Sequence, residues 1–269
     1  MMRTIIVILA LLPVSYAQKI NFSPLPESAV VERREPVPAL ANRQARLEEL
    51  FRQAGCRGDA ITEQKIASLS EANVICRLPG KGHGIIVIGA NYGQSPPDNW
   101  NAAALLPSIY QALTHRKRKH TFLFIAFADE NRVLGGSEYF VSHLDQASLD
   151  HTEAMVNLDA MGFSPTKVST QHSDPGLMKS LITTVYMLKR SIGQVDLSRA
   201  VKTDSESFVT RNIPRITLHS LTLPDVTEPR DADPSSLRRF QADNYYSSYY
   251  LVSGFLAYLD VKLKSRHHK

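Results

Sequence analysis

The sequence predicts an α/β domain, a three-layer α/β/α sandwich around a mostly parallel central sheet. Residues 84–90 (GIIVIGA) and 121–128 (TFLFIAFA) are unbroken apolar runs of strand length, as expected of strands buried on both faces. A stretch of helical character follows each of them, and strands alternating with covering helices imply a parallel sheet. The 269 residues are 43% hydrophobic and 21% charged, which suits one large globular core rather than a disordered chain.

From the N-terminus, a basic start (Arg3), an apolar run at 5–13 and small residues at Ser15 and Ala17 form the pattern of a secretory signal peptide over residues 1–17. The expected location is therefore secreted or periplasmic, with a mature chain starting at Gln18 and containing no membrane span. Residues 18–41 are proline-rich without periodicity and predict an extended arm, leaving 42–269 as a single domain. A helix is expected over 42–54, with Asn42 as its N-cap and Gly55 as its stop. Strands are expected at 73–78, 84–90, 121–128, 154–159, from Val168, and at 214–219. Further helices are expected at 100–114 (kinked at Pro107), 137–144, 176–190 and 243–262. The last should turn Tyr246, Tyr250, Leu251, Phe255 and Leu259 inward. In an oxidising compartment the only two cysteines, Cys56 and Cys76, predict a disulfide.

The formal charge of +5 is concentrated at residues 115–120 and 262–269. Neither run carries interleaved aromatics or a recognition fold, so nucleic acid is excluded as a partner. They are expected to be a solvated loop and a frayed C-terminus. No Gly-x-Ser-x-Gly elbow is present to support a serine nucleophile.

Ligands of parallel α/β sheets bind beyond the carboxyl ends of the strands. Polar residues gather at those points: Asn91, then Asp129, Glu130 and Asn131, then Asp159, and finally His219. Helix capping accounts for some of these, but their recurrence at successive strand ends points to a cleft.

With these residues placed, the chain resembles the M28 family of zinc aminopeptidases, whose fold is shared with glutaminyl cyclases. The resemblance runs from about Asn42 to Lys262. It rests on IIVIGANYG, on Asp98-Asn99-Trp100-Asn101, on FIAFADENRVLGGSEYF, on Met155-Val156-Asn157-Leu158-Asp159, and on Asp204-Ser205-Glu206-Ser207-Phe208. It implies a zinc-exopeptidase-like fold and two zinc ions bridged by an aspartate, held by a mixture of imidazole and carboxylate ligands. Such a pair activates water and polarises the scissile carbonyl, while a further glutamate moves the proton.

Carried over residue by residue, the family pattern is half kept. Asp98 stands at the bridging position, Asp159 at a second ligand position and Glu130 at the proton-shuttle position. Asn91 stands where a histidine ligand is expected, Gly93 where an acid is expected, Asn131 where a glutamate ligand is expected, and Thr227 where the late histidine falls. Carboxamides are poor zinc ligands, so tight two-zinc binding is not expected; the site would be empty or hold one weak hard cation on Asp98 and Asp159. His219 is the candidate substitute ligand, and the competing reading makes it a hydrogen-bonded histidine packed beside the cleft. His83 is expected before its strand, at the opposite edge of the sheet, and His115, His120, His143 and His151 in loops or on polar helix faces. The one-zinc chemistry of glutaminyl cyclases needs an Asp–Glu–His set of which only the Asp remains. The expectation is a secreted, non-catalytic homologue with a peptide or protein ligand in the cleft. The alternative is an active metallo-exopeptidase with a rearranged or single-metal site.

Overall fold

A computed structural model describes residues 20–67, 69–93, 99–128, 134–197, 202–222, 224–225 and 240–263. The signal-peptide pattern and the basic C-terminal residues beyond 263 lie outside these. Eight strands form one sheet: β1 (Ile61–Lys65), β2 (Ala72–Leu78), β3 (Ile85–Asn91), β4 (Thr121–Phe127), β5 (Thr152–Asp159), β6 (Lys167–Ser169), β7 (Gly193–Gln194) and β8 (Arg215–His219). Their order is β1-β2-β4-β3-β5-β8-β6-β7. The four central strands, β4-β3-β5-β8, run parallel. Antiparallel pairs flank them at β1–β2, β2–β4 and β6–β8.

The central strands are apolar on both faces because both are covered. Ile86, Ile88, Phe122, Phe124, Val156 and Leu218 point to the larger core. That core is closed by α1 (Glu27–Arg34), α2 (Arg43–Gln53), α3 (Trp100–Thr114), α6 (Pro175–Leu188) and α7 (Ala242–Lys262), with α4 (Gly135–Ser142) and α5 (Gln146–His151) falling between α3 and α6 in the chain. Intervening residues Val87, Ile125, Phe127 and Met155 point the other way, against Phe140 and Val141 of α4 and against Phe208. Phe208 belongs to a 3₁₀ helix, Asp204–Arg211. Two covering layers around a mostly parallel sheet make the predicted sandwich. No described helix is long and apolar enough to cross a membrane.

Several local expectations need correction. The proline-rich segment read as extended contains α1, with Val30 fully buried. Eight residues are too few to hold a helix alone, so docking supplies the stability. The Leu25 N–H donates to the Tyr249 hydroxyl at 2.8 Å, and the Trp100 indole N–H donates to the Arg34 carbonyl at 2.9 Å. Asn42 caps nothing with its side chain, because a 3₁₀ turn, Leu40–Asn42, already leads into α2. Gly55 does end that helix, with φ of +101° in the region that glycine tolerates. On α7 the deepest tyrosines are Tyr245 and Tyr249; Tyr246 and Tyr250 are only half-buried, one position round the helix.

The basic run at 115–120 is not uniformly solvated. Arg118 and His120 are buried, while their neighbours stay exposed. Arg118 donates to the carbonyls of Leu113 and Asn21, and His120 sits between Asp260 and Glu153. The Cys56–Cys76 disulfide is formed, joining the end of α2 to β2 with the two Cα atoms 6.3 Å apart.

Candidate functional site

Side chains alternate along a strand, so residues two apart share a face. Asn91 continues the series from Val87, and Asp159 continues it from Met155, both of which face Phe208 and its layer. His219 aligns with Asp159 across the β5–β8 ladder. The carboxyl ends of β3, β5 and β8 thereby bring Asn91, Asp159 and His219 to one edge, next to the 3₁₀ helix Asp204–Arg211.

Asn91 is half-buried at the last position of β3, and its amide donates to Asp204 Oδ2 at 3.3 Å. Its Oδ1 is buried with no hydrogen-bond partner. Asp204 is almost fully buried. Behind it the Thr203, Ser205 and Thr217 hydroxyls are linked at 2.8 and 2.9 Å. The pattern at residues 204–207 predicts a capped helix start; a 3₁₀ helix does begin at Asp204, but Thr203 makes no side-chain cap and Glu206 bonds to other partners. Glu206 Oε1 is bonded to His172 Nδ1 at 2.8 Å and accepts from Arg215 at 3.0 Å. Burial alone would raise the pKa of this carboxylate, but those two partners hold it below the usual range.

His219 is fully buried, and both of its ring nitrogens are engaged by the backbone. Nε2–H donates to the Val195 carbonyl at 2.8 Å, and Nδ1 accepts the Leu221 N–H at 3.1 Å. Burial disfavours the charged form and lowers its pKa to about 4, so the ring is neutral at physiological pH. A metal would need the Nδ1 lone pair already used by Leu221, or the Nε2 position that carries the proton.

Asp159 ends β5, and the next residue, Ala160, has a φ of +45°. Asn99, at the start of α3, accepts the Ala160 N–H at 2.8 Å. Asn101 donates to the Met161 carbonyl at 3.0 Å. Buried Arg43 donates to the carbonyls of Tyr92 and Gly93 at 3.0 and 3.1 Å, fixing the chain as it leaves β3. Arg43, Asn99 and Asn101 thus shape the site without being among the polar strand-end residues that the sequence singles out. For the two asparagines a signal existed, since they flank Trp100 in a segment that carries the family resemblance; a cation on an amphipathic helix gives none. The other sequence-derived positions, Asp98, Glu130, Asn131 and Thr227, lie outside the described residues.

A dinuclear zinc centre needs several anionic or imidazole donors with free lone pairs. The described strand ends supply one carboxylate at Asp159, a carboxamide at Asn91 that is turned toward Asp204, and an imidazole whose nitrogens are both occupied. This described part of the donor set does not fit such a centre.

A sequence model described as Peptidase family M28 matches residues 73–250. Aminopeptidase YwaD of Bacillus subtilis (strain 168) is 30% identical over 128 residues, covering 42% of this chain and 28% of that protein. The match therefore spans little more than a quarter of that relative. Among solved structures, the zinc aminopeptidase BSAP from Bacillus subtilis has 20% identity and a TM-score of 0.57, covering 69% of this chain and 49% of that one. The LapA aminopeptidase of Legionella pneumophila has 17% identity and a TM-score of 0.66, covering 90% and 68%. A glutaminyl cyclase from an Acidobacteriales bacterium has 16% identity and a TM-score of 0.67, covering 88% and 96%. At these identities the structural likeness is one of fold.

Proposed function

Because the chain belongs to peptidase family M28, we propose that it is an exported, non-catalytic homologue of the zinc aminopeptidases that uses the cleft beyond its strand ends to hold a peptide or protein ligand. The observation that carries this reading is Asn91. At the end of β3, where the family resemblance implies a histidine, its carboxamide is hydrogen-bonded to buried Asp204. An amide so engaged neither binds zinc well nor generates a nucleophile. His219, the candidate substitute, supports the same reading because its nitrogens serve the backbone.

In this reading Asn131 and Thr227 are further ligand losses, and Asp98, Asp159 and Glu130 are retained positions without the partners that give them chemistry. Asp98 and Asp159 would at most hold one weak hard cation. Export rests on the pattern at residues 1–17, and the formed disulfide suits an oxidising compartment.

The test is elemental analysis of the purified mature chain together with an aminoacyl-nitroanilide assay. Zinc well below one equivalent and no cleavage are expected. Stoichiometric zinc, with activity that disappears in Glu130→Gln, would establish the metallo-exopeptidase alternative with a rearranged or single-metal site. N-terminal sequencing of exported protein should begin at Gln18; retention of residues 1–17 would remove the export claim.

A further inference from the structure

A cavity of about 390 Å³ is lined by residues of the 3₁₀ helix Asp204–Arg211 and of α4. Neither Asn91, Asp159 nor His219 lines it, so it is distinct from the strand-end cleft. Its floor is built from buried Leu134, Val141 and Ser207. Its exposed rim carries Glu138 on α4, with Lys202 and Arg211 at either end of the 3₁₀ helix. Among the described residues these three charged side chains form no ion pair with one another or with any other group. The remaining acid on the wall, Glu206, is already matched by Arg215 and His172.

We propose that this cavity is a binding site for a small zwitterion, a free amino acid or a dipeptide. A carboxylate and two cations set around one opening, yet unpaired, leave room for a molecule that bridges them. A simple anion would bring its charge toward Glu138, and a simple cation would face Lys202 and Arg211. A zwitterion satisfies both signs at once, its ammonium toward Glu138 and its carboxylate toward Lys202 and Arg211. The apolar floor at Leu134 and Val141 suits an aliphatic side chain, and the volume lies in the range of small-molecule pockets. The site requires nothing of the strand-end cleft and stands whether or not that cleft is catalytic.

The probes are leucyl-glycine and its N-acetylated and C-amidated derivatives, titrated calorimetrically into the mature chain at neutral pH. Saturable binding of the free dipeptide is expected, with each blocked derivative weaker by roughly tenfold or more. Glu138→Gln should weaken the free dipeptide and erase the penalty for N-acetylation. Lys202→Gln with Arg211→Gln should erase the penalty for amidation. These rim residues are exposed, so unchanged thermal melting will confirm intact folding of the variants. No saturable binding by the wild type at millimolar dipeptide overturns the proposal. So does binding that survives the rim substitutions and is lost in Asp159→Asn, because the ligand then occupies the strand-end cleft.

Discussion

Asn99 accepts the N–H of Ala160, the residue after Asp159, whose φ of +45° is costly for any side chain but glycine. Both asparagine and alanine are buried, so removing the acceptor leaves a buried donor without a partner. Asn99→Ala should therefore cost about 1–3 kcal/mol in urea unfolding; a loss within the scatter of surface mutations would show that the bond does not hold the turn. His120 makes a second residue-scale case. Burial by itself disfavours its imidazolium, but hydrogen bonds to Asp260 and Glu153 outweigh that and raise its pKa to about 9 from an ordinary 6.5. Arg118 and Lys119, the nearby cations, act against it or on its partners. A raised pKa means that the folded protein binds the proton more tightly than the unfolded chain. Its stabilisation is full below pH 6.5 and is lost as pH rises through 9. Wild-type melting temperature should fall across that window more steeply than that of His120→Gln; parallel profiles would contradict the assignment. His120 was not legible in the sequence, because it ends a run of basic residues that reads as solvent-facing, and its two acids come from distant strand and helix ends.

The elements that could be read in advance are those whose apolar periodicity is long enough to stand out. Strands β3 and β4 and helices α3 and α7 fall within one residue of their expected bounds because burial on one or two faces dictates their composition. Strand β1 escaped because Ile61–Lys65 (ITEQK) has one apolar residue and lies at the sheet edge, where polar side chains are favoured. Helix α1 escaped because two turns between prolines give no period, and its stability comes from contacts with α3 and α7. The disulfide was legible from cysteine count alone, yet its structural meaning is clear only with β1 in place. It joins α2 to β2, the strand that pairs directly with that polar edge. With the cysteines 20 positions apart in sequence, chain-entropy reasoning gives about 3 kcal/mol, so Cys56→Ala with Cys76→Ala should lower unfolding free energy by about that amount. A much smaller loss would mean that the edge hairpin already restrains the unfolded chain.

At the scale of the whole molecule, the chain has the fold of its peptidase family, and two of its polar strand-end residues, Asn91 and His219, are engaged in hydrogen bonds. Asn91 illustrates why half the site could be read. Its position follows from strand and motif, but its engagement by Asp204 depends on a 3₁₀ helix more than a hundred residues later. If the scaffold retains the geometry and has lost only ligand atoms, Asn91→His, Asn131→Glu and Thr227→His together should restore zinc affinity. A ligand that binds only the folded state stabilises it by RT ln(1 + [L]/Kd), about 2.7 kcal/mol at a hundredfold excess over Kd. For a domain of this size that corresponds to a rise of roughly 5–10 °C in melting temperature. The rise should appear with zinc in the triple variant and not in the wild type. It should also be lost when Asp159→Asn is added, which separates the strand-end site from adventitious zinc on surface histidines. A shift of equal size in wild type and variant would show that the intact chain already holds zinc, and the non-catalytic reading would fall. No shift in either would mean that Thr227 is not the late ligand position, and the same measurement repeated with histidine placed along the 222–231 segment would locate it.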